Sequence, residues 1–560
     1  MLNNYLKISS AKNILKLLPP LFWIALAVIL VYSQTLFADI VYLDDNVLVV
    51  EHYAFNNNMR NIGQAFREDI FRSPVKTGSF YRPLERISFM LDAQFGPDAI
   101  VFMSHLSNLL LHLLAVYLFY RFLLVLEISK IRALIFSLIF AVHPLTAQTV
   151  AFISGRNDSL LAIFTLPCLF FLVLFWKQKK VQYIIGHFIF LILALFTKET
   201  AAVIPFISIA YVILFTNIKK IVFEYKSYLY LFAGWSAILA CWFYARWLVL
   251  NNLIGNANYQ IIDSIVSNFP VLLPTIGKVL LPFHLSVFPV FQDMPKIYGI
   301  ISIILLGVMF VLAKRKNYRM MIFGGVWFFL FFILTLIKPA STTPDFSENR
   351  IYLPMLGFIF IIIGLEPDQI LNTFYQNKRK LIAYSSLTIL FVIFSSITIY
   401  RNRYYINKMN FWQNAVVTSP SFAFNHNNLG AMYYLDNKFA LAEEEFQQAI
   451  TLNANEKLAH NNLGLIYMRN NQFLEAEVEF NKELHINPLY DNAYANLGIL
   501  FFKMKKLDKG AENFEKVLKI NPDRMDALQA LAVYYNQKND LVRATYYANE
   551  YNKRAAQLSP

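Results

Sequence analysis

The chain has 560 residues, is 57% hydrophobic and has a mean hydropathy of +0.44, an average that includes a polar C-terminal quarter. Apolar runs of about 20 residues recur, which excludes an ordinary soluble domain and predicts a polytopic α-helical membrane protein with a soluble appendage. The net charge of +14 lies largely in short clusters between those runs, the pattern of membrane orientation rather than of nucleic-acid binding, and Cys168 and Cys241 sit inside apolar runs, where neither a disulfide framework nor a zinc site is indicated.

Lys7, Lys12 and Lys16 precede the first apolar run. No small-residue cleavage site follows it, so it reads as a retained first helix. Eleven spans are expected, near 18–37, 100–120, 132–151, 159–176, 181–197, 200–216, 228–249, 297–313, 320–338, 351–365 and 382–400. The apolar stretch 270–292 is broken by Pro270, Pro274, Pro282 and Pro289, and proline disrupts a helix interior, so a re-entrant or interfacial segment suits it better. With the N-terminal lysines in the cytoplasm, clusters such as Lys177, Lys179 and Lys180, then Lys219 and Lys220, then Lys314, Arg315 and Lys316 all fall inside. This sends loops 38–99, 152–158, 198–199, 250–296 and 339–350, and everything after 400, to the outside.

Unusual polar residues gather in those outer loops. The first holds Tyr42-Leu43-Asp44-Asp45-Asn46 and Tyr81-Arg82-Pro83-Leu84-Glu85-Arg86. Two adjacent carboxylates at the edge of a membrane helix can have a raised pKa or bind a metal. The plainer alternative is that they end the helix and open a loop. Later loops add His143-Pro144, Ser154-Gly155-Arg156-Asn157-Asp158, Thr197-Lys198-Glu199, and Asp345 with Glu348-Asn349-Arg350. Ionisable residues at a bilayer are expensive and tend to be functional. His105, Asn108 and His112 share one face of the second span, where they line a cavity or bond neighbouring helices.

A 34-residue repeat begins near 423. Asn428-Leu429-Gly430 recurs as Asn462-Leu463-Gly464 and Asn496-Leu497-Gly498, then weakly as Ala530-Leu531-Ala532. Phe446, Phe480 and Phe514 follow at a fixed offset, and Pro488 and Pro522 close two units. That is the tetratricopeptide pattern of two antiparallel helices per unit, which stacks into a solenoid with a concave surface. If Asn428, Asn462 and Asn496 face that groove, their amides can bind a peptide backbone; the alternative is that asparagine is simply common there. The expected fold is all-α: a membrane domain over 1–400, a linker over 401–422, and four repeats over 423–556, the last degenerate.

Taken together, Tyr42 to Asn46, Tyr81-Arg82-Pro83-Leu84, His105 through Asn108 to His112, Ala141-Val142-His143-Pro144, Ile153 to Asp158, Thr197-Lys198-Glu199 and Glu348 to Pro354 resemble, in order, the transmembrane and tetratricopeptide-repeat-containing O-mannosyltransferases. That family is similar to the wider C-type glycosyltransferases, multispanning enzymes with an acidic motif in the first outer loop and a polyprenyl-phosphate sugar donor. The array here is short and its Asn, Lys and Ile usage suggests a bacterium, so mannose and a dolichyl carrier do not carry over, and the expected location is a bacterial inner membrane.

The resemblance implies inverting transfer of a sugar from a polyprenyl-phosphate donor to hydroxyl groups of protein acceptors, on the extracytoplasmic side. Asp44 or Asp45 would be the general base. Arg156 and Arg350, then Arg82, His143 and Lys198, would hold the leaving phosphate. Glu199, Glu348 and Asp158, with His105, Asn108 and His112, would support them, and the repeats would present the acceptor. No spacing signature marks a metal site, so metal independence is expected; a divalent ion on Asp44, Asp45 and Glu199 is the alternative. Two other readings stand: a non-catalytic membrane-anchored repeat scaffold, and a transferase or ligase acting on a lipid or polysaccharide.

Overall fold

The computed structural model describes residues 18–71, 80–216, 225–250, 261–313, 315–337, 346–365 and 377–558. Lys7, Lys12, Lys16, Lys219, Lys220, Lys314 and Asp345 lie outside the described residues. The described chain is all-helical, 81% helix and without strands. It divides into two compact units, Met1–Thr418 and Ser419–Pro560.

In the first unit, five segments among the described residues are long and apolar enough to cross a membrane: Pro20–Phe37, Ile100–Val125, Ile153–Gln178, Lys226–Leu250 and Tyr318–Thr335. Val181–Thr197, Glu199–Phe215 and Ile297–Leu312 are shorter apolar helices. The span expected over 132–151 is not continuous. Its helix stops at Val142 and a second short helix, Thr146–Ala151, follows. Pro144 is the cause, since it supplies no backbone donor and pushes His143 out of the helical region, to ψ 132°. The proline-broken stretch behaves similarly: the helix Leu272–Leu280 ends before Pro282, and irregular chain follows.

Close packing fixes the helix pairs. Gly324 and Gly357 face each other, so that a Cβ on either would come within 2.5 Å of the other helix's backbone. That approach lets Tyr318–Thr335 and Tyr352–Gly364 bury Trp327, Phe328 and Phe360 together.

The segment 401–422, expected as a linker, is ordered for most of its length. The helix Lys408–Thr418 buries Phe411 and Trp412, whose indole donates to the Val41 carbonyl at 2.8 Å. Asn402 donates to Val31 and Asp39 N–H to Ile406. A Trp anchor and these bonds tie 401–418 into the first unit, and only 419–422 lead into the repeats.

The second unit is four helix pairs: Ala423–Leu435 with Phe439–Leu452, Ala459–Arg469 with Phe473–Ile486, Asp491–Lys503 with Leu507–Ile520, and Met525–Gln537 with Leu541–Leu558. Glycine decides the pairing distance. A Cβ on Gly464 would stand 2.7 Å from the Phe480 ring, and Gly430 and Gly498 stand likewise against Phe446 and Phe514.

Candidate functional site

The two carboxylates that lead the first outer loop have different surroundings. Asp45 is buried, and its oxygens accept from the N–H groups of Val41, Leu43 and Asn46 at 2.7, 3.0 and 3.0 Å. It therefore holds the turn closed, with Tyr42 at φ 59° inside it. Burial raises its pKa, against the pull of those backbone donors. Asp44 is exposed. The loop is seated by Leu48 and Val49, which pack with Phe89 of the helix Pro83–Ala93 and with Ile153.

That helix carries the next part of the site. Arg82, at its start, grips Glu199 with two bonds, Nε at 3.0 Å and Nη2 at 2.7 Å, and lies 3.5 Å from Glu85. Glu85 accepts from Asn157, and Asn157 accepts from Lys198 at 2.8 Å. Lys198 pairs with Asp158 at 2.6 Å, and Asp158 accepts from Asn349 at 2.8 Å. One chain of hydrogen bonds and ion pairs thus joins four stretches expected on sequence grounds to converge: 81–86, 154–158, 197–199 and 348–350. The Glu85 carboxyl is raised by burial, with Arg82 opposing the rise.

The cluster continues through Gln148. Its Oε1 accepts from the N–H groups of Glu348 and Asn349, and its Nε2 donates to Ser347 and to the Val287 carbonyl. Glu348 is buried between Lys278, at 2.6 Å, and Arg401. Arg350 is half-buried and lines a small cleft with Lys278, Phe332, Phe346 and Ile351.

Several expected phosphate ligands have other work. Arg156 is fully buried, paired with Asp92 at 2.7 Å, bonded to Asn108 and the Ser104 carbonyl, and stacked on Phe89 at 4.0 Å. No face of its guanidinium is open to a ligand, which corrects its assignment as first choice for the leaving phosphate. His143 is likewise a structural residue: Nε2 donates to the Val279 carbonyl at 2.9 Å and Nδ1 accepts from Leu145 N–H. His112 bridges the Ala141 carbonyl and the Tyr352 hydroxyl, and Asn108 donates to three carbonyls between Val150 and Ile153. These two bond neighbouring segments. His105 is buried on the same helix face.

The repeat asparagines bond within the array. Asn462 donates to Asn427 at 3.0 Å and Asn496 to Asn461 at 2.8 Å, while Asn428 donates to the Phe424 carbonyl. The amides of Asn462 and Asn496 thus reach back to the preceding repeat, and that of Asn428 bonds within its own helix. Two further pairs recur across repeats: His426 with Glu445 at 2.7 Å, and His460 with Glu479 at 2.5 Å.

Sequence reasoning missed Asp92, Gln148, Lys278 and Arg401. Lys278 and Arg401 were findable as cations, the one inside the proline-broken stretch 270–292 and the other at the end of the apolar run 382–400. Gln148 carried no signal, since its role is to receive two backbone N–H groups from 200 residues away. Among the described residues no group of three or more His, Cys, Asp or Glu side chains could hold a metal ion.

The family profiles that match the chain fall in the second unit. Two tetratricopeptide-repeat family profiles match residues 433–491 and 492–524. Solved structures similar to the chain include the crystal structure of MamA (21% identity, TM-score 0.25, covering 27% of this chain and 88% of that one) and a Pseudomonas aeruginosa pilF structure (23%, 0.25, 26% and 65%). MamA 41-end from Desulfovibrio magneticus RS-1 is 16% identical (0.25, 27% and 86%). No curated protein matches the chain.

Proposed function

We propose that the first unit is a membrane-embedded glycosyltransferase that moves a sugar from a polyprenyl-phosphate donor to hydroxyl groups of a protein acceptor outside the cytoplasm, while the repeats hold that acceptor. The observation that carries the reading is the cluster of Arg82, Glu199, Glu85, Asn157, Lys198, Asp158 and Asn349, joined by hydrogen bonds and ion pairs. A membrane anchor needs no such convergence of ionisable residues from four separated stretches. Its support from family resemblance rests on the same motifs.

Asp44 is the base in this reading, because it is exposed to an acceptor whereas Asp45 is buried. It takes the proton of the acceptor hydroxyl as the oxygen attacks the anomeric carbon. The sugar–phosphate bond breaks on the opposite face with inversion, and the polyprenyl phosphate leaves with the bonding electrons. Arg350, half-buried beside Asn349 of that cluster, is the cation this reading assigns to the phosphate. Arg82 and Lys198 hold the carboxylates of the cluster in place.

A non-catalytic repeat scaffold is the second reading. It is favoured by the family matches, which fall on the repeats alone. Purified protein given radiolabelled polyprenyl-phosphate monosaccharides and a periplasmic extract separates the two. Label entering protein, and lost in Asp44→Asn, supports transfer. No transfer from any donor by folded protein supports the scaffold.

A further inference from the structure

The helix Lys408–Thr418 does more than lead toward the repeats. A tether needs no buried side chains and no bonds to distant loops, yet this helix buries Phe411, Trp412, Asn414 and Ala415. Trp412 and Asn414 are two residues apart, which on a helix of 3.6 residues per turn puts them about 200° apart around its axis. Each belongs to a row of its own, since Lys408 and Trp412 are four apart and so are Asn414 and Thr418. The two rows meet different walls of the first unit.

The first row meets the acidic loop. The Lys408 ammonium lies 5.4 Å from the centre of the Tyr42 ring, and the Trp412 indole donates to the Val41 carbonyl at 2.8 Å. Val41 is itself buried and its N–H donates to Asp45, so the Trp412 bond reaches that carboxylate through one residue. The second row meets residues 286–288. The Asn414 side-chain oxygen accepts from Val287 N–H at 3.3 Å. The Thr418 hydroxyl donates to the Asn414 carbonyl, so at the 2.6 Å contact between Thr418 and Ser286 the serine is the donor. The same segment also serves Glu348 and Asn349. Ser286 N–H donates to Glu348 at 3.2 Å, and the Val287 carbonyl accepts from Gln148, which holds the N–H groups of both residues. The Trp412 ring stands 6.3 Å from that of Phe288, so one side chain meets both walls.

We propose that Trp412 is a positioning residue of the candidate site. It holds Val41 through its N–H and Phe288 against its ring, and so sets the spacing between the loop of Asp44 and the segment bonded to Glu348. The two walls then move as one body, and the stretch that reads as a linker in sequence belongs to the site. The part Asp44 plays as base rests on the transferase reading; the mechanical coupling of the two walls does not.

The test uses the full chain in detergent, without a sugar donor, and reads amide hydrogen exchange. Trp412→Phe keeps an aromatic ring and removes the indole N–H. A buried carbonyl left without its donor loosens its surroundings about 10-fold, and exchange rises by that factor at 41–46 and also at 286–288. Trp235→Phe is the control: it removes another buried indole bond, to His187, and leaves both segments unchanged. A rise at 41–46 alone, or at neither segment, overturns the proposal. So does an equal rise in Trp235→Phe, which reports general loosening. If Trp412→Phe does not fold, Asn414→Leu carries the test from the other wall, with a rise at 286–288 and at 41–46 expected. Transfer from polyprenyl-phosphate monosaccharides supplies a readout that packing alone does not move. Trp412→Phe lowers kcat and leaves KM for the donor unchanged, because the fully buried Trp412 does not touch it. Unchanged kcat with both segments loosened overturns the positioning role. Loosening of both in a chain that transfers no sugar supports the coupling and breaks the enzymatic reading alone.

Discussion

The two units use polar residues in opposite ways. In the second, one contact is repeated: Asn462 to Asn427 and Asn496 to Asn461, His426 to Glu445 and His460 to Glu479, at constant separation along the chain. In the first, each polar contact occurs once, between residues as far apart as Arg82 and Glu199 or Asp158 and Asn349. A repeated contact announces itself by its period. A unique one is visible only after the chain has folded. The repeat can also lose one member and keep its register, whereas the single network has no spare.

That contrast sets the order of expected effects. The largest falls on the first outer loop. On the proposed transfer reading, Asp44→Asn lowers transfer by about 10²–10⁴-fold with the fold retained. Asp45→Asn instead places an amide against three backbone donors and loosens 41–46, read as faster proteolysis there. If both variants lose only stability, the first unit has no base and the contrast collapses to architecture.

Next comes Arg156→Met. Removing one partner of a buried pair costs about 3–5 kcal/mol, because Asp92 is left buried with its charge unmatched. The thermal midpoint in detergent falls, and Asp92→Leu added to it restores part of the loss. Smaller is Gly464→Ala, whose Cβ meets the Phe480 ring at 2.7 Å. Overpacking of this kind costs about 1–3 kcal/mol. Hydrogen exchange rises in the second repeat, and the drop is less than that of Arg156→Met because neighbouring repeats still hold the unit.

The smallest effect is one of pH. His460 faces acceptors on both nitrogens, Glu479 at 2.5 Å and the Ala454 carbonyl at 3.1 Å, with Lys482 also on Glu479. The hydrogen bond to Glu479 raises its pKa. A raised histidine pKa contributes stability that is whole below the unfolded value of about 6.5 and fades as pH climbs through the folded value. Exchange protection of 454–483 therefore falls from acid to mildly alkaline pH, and His460→Gln flattens that dependence.

Both kinds of order can be set against the sequence. The repeats were legible to the residue, since Gly464 and Phe480 carry the period and the packing together. The convergence of Arg82, Asp158, Lys198 and Glu199 was legible as a list of outer-loop residues. Their pairing was not, because a loop position says nothing about which carboxylate an arginine will choose. Arg156 misled for a physical reason. A guanidinium near a bilayer edge suits phosphate and suits a buried aspartate equally, and Asp92 lies in a helix whose burial the sequence did not reveal. The break at His143 was written in Pro144 and was passed over in favour of a long apolar run.

The anchoring of the first loop has a consequence for the order of assembly. Val41 is held by Trp412 and Asp39 by Ile406, partners about 370 positions later in the chain. At a synthesis rate of about 5–20 residues per second, the loop bearing Asp44 waits on the order of 20–70 s for the residues that fasten it. Until Trp412 has been made, the loop is unfinished however early its own helix is placed. A chain cut short before Trp412 would keep its apolar helices and leave that loop without its latch.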